Sequence, residues 1–469
     1  MRIQIEDVSF GLIDGRTRLP FRFGIATLTQ APTLTVRVSA RADGASTVGY
    51  ASDLLVPKWF EKDPDKSVQD DVLALVKSAR TAARLLMRPH EPSSVFDLWY
   101  SVYREAVLSR HYEVRDALVR GFGVALVERA LMDAACRAAG VSIFDALKDD
   151  LFEFTGGTIY PEVKDLGGGA LPAPLDTVTV RHTIGLLDPL RVDELDGDGD
   201  GIPRALEEDI DAYGLTQFKL KLAGDADADV ARAVEVAGIV RDRVGDDAMF
   251  SLDGNEQFED LDGLKAVLDA TARESNGAWL LERVRWIEQP LSRANTFDRA
   301  RHKAIEEVAA VAPLIIDEAD SGFVAFRTAH SIGYRGVSVK NCKGVFRALV
   351  NHGLCAAFDD GSFQTGEDLT NLPVLALQQD LATMAALGLD SVERNGHHYF
   401  AGLDHLPEEE ARAALEAHPD LYVEDGGRIR LKIEGGQLAL GSLATPGFGT
   451  SLEPSLDART SPDDWTCPF

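Results

Sequence analysis

The chain has 469 residues, 45% hydrophobic and 26% charged, the composition of a soluble globular protein whose core exceeds that of one small domain. Acidic residues outnumber basic ones 76 to 48, a formal charge of −28, and this excludes nucleic acid and anionic membranes as natural partners because both require a cationic surface. The opening MRIQIEDVSF lacks an apolar signal-like run, and no apolar stretch is long enough for a bilayer. Cys136, Cys342, Cys355 and Cys467 have no metal-ligand spacing, so a cytoplasmic protein with reduced thiols is expected.

Residues 1–155 read as an α+β unit. Alternation predicts strands at 3–10 and 33–40, and apolar periodicity predicts helices at 68–86 and 116–147, the latter broken near Gly121 and Gly140. The stretches 19–29 and 49–64, rich in Gly, Pro and aromatics, read as loops. From about residue 178 the pattern becomes strand–helix alternation. Strands are predicted at 178–184, 218–222, 249–252, 286–289, 314–316, 336–339, 362–364 and 391–394, with helices such as 229–244 and 261–274 between them. Eight strands over that length predict an α/β barrel domain spanning 175–403. Residues 404–469 form a C-terminal segment with a helix at 407–417, a Gly-rich strand region at 429–449, and a loose tail beyond about 452.

The ends of these strands carry charge in a regular order: Lys219-Leu220-Lys221, Asp253-Gly254-Asn255, Glu288-Gln289-Pro290, Asp317-Glu318, then Lys340. Pleating puts Phe218, Leu220 and Leu222 on one face of their strand and both lysines on the other, pointing into the barrel. Inward ammonium groups require anions beside them. The same alternation turns Asp253, Asn255, Glu288 and Lys340 inward. Carboxylates from consecutive strands, with no Cys or His among them, suit Mg²⁺ rather than Zn²⁺ and leave room for a substrate carboxylate. A lysine crowded by a second cation becomes a usable base.

This order of KxK, DxN, EQP, DE and lysine resembles the enolase superfamily, and within it the muconate-lactonizing subgroup of the mandelate racemase/muconate-lactonizing group. The 126–133 run Leu-Val-Glu-Arg-Ala-Leu-Met-Asp resembles the helix closing that family's capping domain, and 435–438 the segment where the C-terminus returns to the cap. The resemblance implies a modified TIM barrel, (β/α)7β, with an α+β cap. It implies Asp253, Glu288 and Asp317 as Mg²⁺ ligands, with Glu318 as the alternative third. Lys221 and Lys340 become acid/bases on opposite faces of a small carboxylate substrate, with Lys219 tuning Lys221 and touching the carboxylate. The chemistry implied is removal of the α-proton through an enediolate, and a homo-oligomer is expected. Two lysines favour racemisation or epimerisation, while cycloisomerisation and syn β-elimination remain open; the His–Asp base of acid-sugar dehydratases is replaced by Lys340.

The chain also departs from its relatives. After Lys340 it reads Asn341-Cys342-Lys343-Gly344 where the family usually carries a Gly-Gly pair. The seventh and eighth strands end unusually, nominating Glu367, Asp368, Glu393 and Arg394 as substrate contacts beside the inward Asn255, with Arg394 for a second carboxylate. His397 and His398 read as a solvated turn. Lys58-Trp59-Phe60 is placed to close over the site. Finally, Asp196, Asp198, Asp200 and Glu207 stand at positions 1, 3, 5 and 12 of an EF-type loop with Gly201 at position 6, a candidate Ca²⁺ site on the barrel rim. That loop motivates a reading from another class, a non-catalytic calcium-dependent binding protein on an old barrel.

Overall fold

The computed structural model describes residues 1–109, 117–164, 170–197 and 199–469. The chain opens with β1 (Ile3–Ile13), β2 (Arg16–Phe23), β3 (Ala26–Gln30), β4 (Thr33–Ala42) and β5 (Ala45–Leu54). β1, β4 and β5 form an antiparallel sheet, and β2–β3 is a separate hairpin. Leu34, Val36, Val38 and Ala40 alternate along β4 and are fully buried, the period-2 signature of a half-buried strand. Of the stretches expected as loops, 19–29 is largely strand and 49–54 is the end of β5, while 55–64 is loop as expected. Pro20 and Gly24 hid the hairpin, although Phe21 and Phe23 alternate correctly within it.

The helix Val68–Leu86 begins as expected at an N-cap serine, with Ser67 and Asp70 forming a capping box. The helix Ala117–Ala139 runs unbroken through Gly121, against expectation, and ends before Gly140, whose φ is +67°. Glycine serves close packing around this helix. A Cβ at Gly123 would stand 2.3 Å from Ser78 O of the neighbouring helix, and one at Gly49 would stand 2.1 Å from Ala130 O.

The barrel comprises β6 (Thr177–Ile184), β7 (Gln217–Lys221), β8 (Met249–Asp253), β9 (Val284–Glu288), β10 (Leu314–Ile316), β11 (Gly336–Val339), β12 (Phe363–Gly366) and β13 (Ser391–Arg394). They pair in parallel in chain order, and β13 closes on β6. After β14 (Tyr422–Asp425) and β15 (Arg428–Leu431), β16 (Gln437–Ala439) adds antiparallel to β6. The 435–438 segment thus returns to the barrel wall rather than to the cap. The tail also differs from expectation: Leu12 and Thr460 exchange backbone hydrogen bonds of 2.8 and 3.0 Å, and Trp465 Nε1 donates to Asp14 at 2.9 Å. No described helix is long and apolar enough to cross a membrane.

Cap and barrel meet beside the turn that follows β11. Glu128, buried in the helix Ala117–Ala139, accepts a 2.6 Å hydrogen bond from Phe346 N. Burial pushes its carboxyl up to about 8, against the pull of that N–H and of Arg129 and Arg347. The folded protein therefore holds a proton there that the unfolded chain releases above its ordinary carboxyl pKa, so this group costs stability increasingly as pH rises from about 4.5 to 8. Glu128→Gln keeps the acceptor and is expected to raise Tm by a few degrees at pH 8, with the gain vanishing near pH 4.5 in thermal melts.

Candidate active site

Strand order places the charged side chains. β8, β9 and β10 bring Asp253, Glu288 and Asp317 side by side, while β7 and β11 flank them with Lys221 and Lys340. All five are buried. The register pairs Lys221 with Asp253, Asp253 with Glu288, and Ile315 with Glu288. Paired residues of a parallel ladder share a face, so two residues past Ile315 the backbone turns Asp317 inward and its neighbour Glu318 away. The Gln289 amide locks this corner: its oxygen accepts from Asp317 N (2.8 Å) and Ala319 N (3.0 Å), and its nitrogen donates to Leu291 O (2.7 Å). Gln289 and Asn255 both hold positive φ, +34° and +41°, the kind of backbone strain concentrated at functional strand ends.

Lys219 is the most enclosed of the lysines. Its ammonium lies 3.0 Å from Asp253, 2.7 Å from Glu288, 2.7 Å from Glu367 and 3.1 Å from Glu393. Burial opposes that charge, but the four carboxylates outweigh it and hold the lysine well above its ordinary pKa. Lys221 reaches Asp253 at 2.6 Å, and Lys340 reaches Asp317 at 2.6 Å. Asp317 also accepts from Ser338 Oγ at 2.5 Å and from Lys343 Nζ at 2.9 Å. Despite burial, Lys340, Lys343 and Lys219 drive Asp317 well below the usual carboxylate range. Glu288 is the opposite case. Burial and the charges of Asp253, Glu367 and Asp317 push it well above that range, and the Lys219 ammonium at 2.7 Å offsets this only in part.

A narrow cavity of about 20 Å³ opens above this layer. Lys221 and Lys340 both line it, together with Asn255, Asp368 and Glu393, while Phe21, Phe23, Val56 and Trp59 of the cap form an apolar side. The Trp59 ring sits 4.6 Å from the Lys340 ammonium, so the cap loop covers the site as its sequence suggested. Lys58 does not take part; its ammonium is used by Asp63 O and Lys66 O. The loop is clasped by Arg293, which donates to Trp59 O and Phe60 O at 2.7 Å each and pairs with Glu256 at 2.8 Å. Lys62 adds contacts to Asn255 O (2.9 Å) and Glu256 (2.7 Å). Arg293→Ala is expected to loosen this cover and lower kcat/KM about tenfold, mainly through KM, in steady-state kinetics.

Other nominated residues fall elsewhere. Glu367 lies beneath the cavity, paired with Lys219 and Arg181. Arg394 is committed to Asp368 (3.1 Å) and Asp380, and faces a different cavity, so it is not free for a second substrate carboxylate. Asp368 does reach the site; burial pushes it up to about 7 against the pull of Arg394. Glu318 has one oxygen 3.4 Å from Asn255 Nδ2 and 3.6 Å from Lys62, and its other oxygen is unpaired. Asp200 is bound by Arg18 through two 2.7 Å contacts, whereas Glu207 accepts from Val192 N and faces Arg243. These two acids of the EF-type loop thus turn to different partners, and Asp198 lies outside the described residues. His397 and His398 form no solvated turn; both are buried, in a short helix 396–399. Lys343, Lys62 and Arg293 are the charged residues of the site that sequence reasoning missed; Lys343, three residues beyond Lys340, was the one within reach.

The donor set was tested for a hard divalent cation. Three carboxylates on adjacent strands are all-oxygen donors, and Glu288, with Lys219 at 2.7 Å, is still crowded by anions that a cation would relieve. The lysine ammoniums stand between the acids here, and the only His/Cys/Asp/Glu trio among the described residues whose donor atoms all lie within 4.8 Å is elsewhere. The chemistry of the site fits Mg²⁺, with Lys219, Lys221 and Lys340 serving as counter-cations to the same acids.

Comparison with known proteins agrees with this fold. The chain is similar over nearly its full length to muconate lactonizing enzyme from Pseudomonas fluorescens, solved with muconolactone (16% identity, TM-score 0.59, 97% of this chain and 98% of that one). It is also similar to N-succinyl Arg/Lys racemase from Bacillus cereus (15%, 0.62, 98% and 97%) and to an enolase from Bradyrhizobium complexed with magnesium and mandelic acid (15%, 0.61, 98% and 98%). No curated protein sequence matches. The enolase C-terminal domain-like family matches residues 202–455, more than half of the chain and the part that carries every candidate Mg²⁺ ligand and lysine base, and the protein belongs to that family within the enolase superfamily.

Proposed function

We propose that the protein is a Mg²⁺-dependent enzyme that removes and returns the proton α to a substrate carboxylate, as a racemase or epimerase. The observation carrying this reading is that Lys221 and Lys340 enter one cavity from opposite sides of a three-carboxylate layer. Mg²⁺ held by Asp253, Glu288 and Asp317 would supply positive charge against the negative charge that grows on the substrate carboxylate as the proton leaves. The Trp59 cover excludes water and places the apolar body of the substrate against Phe21, Phe23 and Val56.

The lysines can serve both as acid and as base. Burial is the largest influence on Lys340 and by itself lowers its pKa, but Asp317 holds the ammonium protonated above the ordinary lysine value. Once Asp317 is engaged by a cation its hold weakens, and burial shifts Lys340 toward the range of a working base. The partner lysine, Lys221, 2.6 Å from Asp253, is placed to deliver a proton to the opposite face. Purified protein incubated in D₂O with chiral N-acyl amino acids and dipeptides should incorporate deuterium at the α-carbon, with the exchange lost on chelation of Mg²⁺. Absence of exchange across such a panel, alongside Mg²⁺-dependent lactone formation from diacids, would move the assignment to cycloisomerisation.

A further inference from the structure

A second cluster of metal-ligating side chains lies outside the barrel lumen. On β6, Thr183 turns inward to Glu393 (2.6 Å), so His182 faces the opposite side, toward the helical layer. There it meets Asp209 from the helix Leu206–Tyr213 and His397 from the helix 396–399 that follows β13. One donor atom from each lies within 4.8 Å of the others, and His182 Nδ1 is 3.1 Å from His397 Nε2. That separation is a hydrogen bond between the two rings, and it is within a few tenths of an ångström of the spacing of roughly 3.3 Å that two imidazoles take on one tetrahedral ion with bonds of about 2.0–2.1 Å. All three side chains are more than nine-tenths buried. His398 Nδ1 lies 2.8 Å and His182 Nε2 3.8 Å from one Asp209 oxygen, while the other Asp209 oxygen and His397 Nδ1 have no hydrogen-bond partner. Buried carboxylate oxygens and ring nitrogens left without hydrogen bonds are expensive unless something else meets them.

We propose that His182, Asp209 and His397 form a second metal site, for Zn²⁺ or a similar first-row divalent ion, distinct in position and chemistry from the carboxylate layer of the barrel. Two imidazoles and one carboxylate are a borderline-soft set that suits such an ion better than Mg²⁺. The nearby His398 or a water completes four-coordination. His397 and Tyr213 also line a small adjacent cavity bounded by Arg394 and Arg430. The site has a mechanical role. It ties β6 to the segment following β13, across the seam where the barrel closes, and anchors the helix into which the acidic 196–207 loop runs. Arg18 reinforces the same corner, donating to His398 O at 2.6 Å while holding Asp200. Asn395, two residues before His397, lines the active-site cavity, so a metal here would fix that part of its rim.

The test uses the full chain, stripped by chelator and dialysed against ZnCl₂ in excess MgCl₂, with bound zinc measured by elemental analysis and Co²⁺ substituted for its d–d absorption. Wild type and Asp253→Asn are expected to retain one equivalent of zinc against Mg²⁺. His182→Asn, His397→Gln and Asp209→Asn are expected to weaken it on the order of 100-fold and to abolish the tetrahedral Co²⁺ spectrum. Failure of wild type to retain zinc overturns the proposal, and this readout does not depend on any variant folding. Zinc lost in Asp253→Asn but kept in His397→Gln overturns it equally, by assigning the ion to the barrel.

Discussion

Lys221→Ala and Lys340→Ala are each expected to lower racemisation by on the order of a thousandfold or more, the range associated with removing a general acid or base. The loss should lie in chemistry and not in folding, because each partner acid keeps other cations. Without Lys340, Asp317 still has Lys343 at 2.9 Å and Ser338 at 2.5 Å; without Lys221, Asp253 still has Lys219 at 3.0 Å. Circular dichroism and Tm should therefore stay near wild type. The stereochemistry of residual exchange separates the roles. With two opposed bases, each variant keeps deuterium exchange for only one enantiomer, and the two variants keep opposite ones. If one lysine proves dispensable it is a spectator cation, and elimination or cycloisomerisation becomes the better reading. Full activity in both variants would end the acid/base assignment altogether.

The chemistry of this site was legible because it lies on strands. A period-2 pattern is short and strict, so Phe218-Lys219-Leu220-Lys221 fixed the facing of two lysines, and all eight barrel strands fall within a few residues of their expected positions. The long-range commitments of charged side chains were not legible. Nothing in Arg394 announces that Asp368 and Asp380 fold back onto it, and nothing in Asp200 announces Arg18, some 180 residues earlier. His397 and His398 looked solvated because a polar pair after a strand usually is; their burial depends on His182 and Asp209, each arriving from elsewhere in the chain. Lys219 shows the middle ground. Its inward direction followed from alternation, but its enclosure by Glu367 and Glu393 depends on barrel closure, and it lies beneath the cavity lining instead of touching it. The helix through Gly121 was misread for a related reason. A glycine lowers local helix propensity by about 1 kcal/mol, and tertiary packing on both sides of Ala117–Ala139 overrides that.

Glu288→Gln and Asp317→Asn are expected to shift the stability of the metal-free protein in opposite directions while abolishing the same Mg²⁺ response. Glu288 is held well above the carboxylate range by burial and by Asp253, Glu367 and Asp317, so its ionisation costs more in the folded protein than in the unfolded chain. The group therefore opposes folding above its unfolded pKa, and a neutral amide removes the penalty. Tm of Glu288→Gln should rise by a few degrees without metal. Asp317 is held far below its ordinary value by two lysines that it alone brings together, and it favours folding at neutral pH. Its removal leaves buried Lys340 and Lys343 without their main anion, a loss of about 3–5 kcal/mol. Wild type should gain roughly 2.7 kcal/mol from Mg²⁺ at a hundred times its dissociation constant, and neither variant should gain it. Because ligation requires Glu288 to lose its proton, the wild-type Mg²⁺ shift should shrink as pH falls. A Glu288→Gln protein that still responds to Mg²⁺, or that is destabilised as strongly as Asp317→Asn, would remove Glu288 from the ligand set.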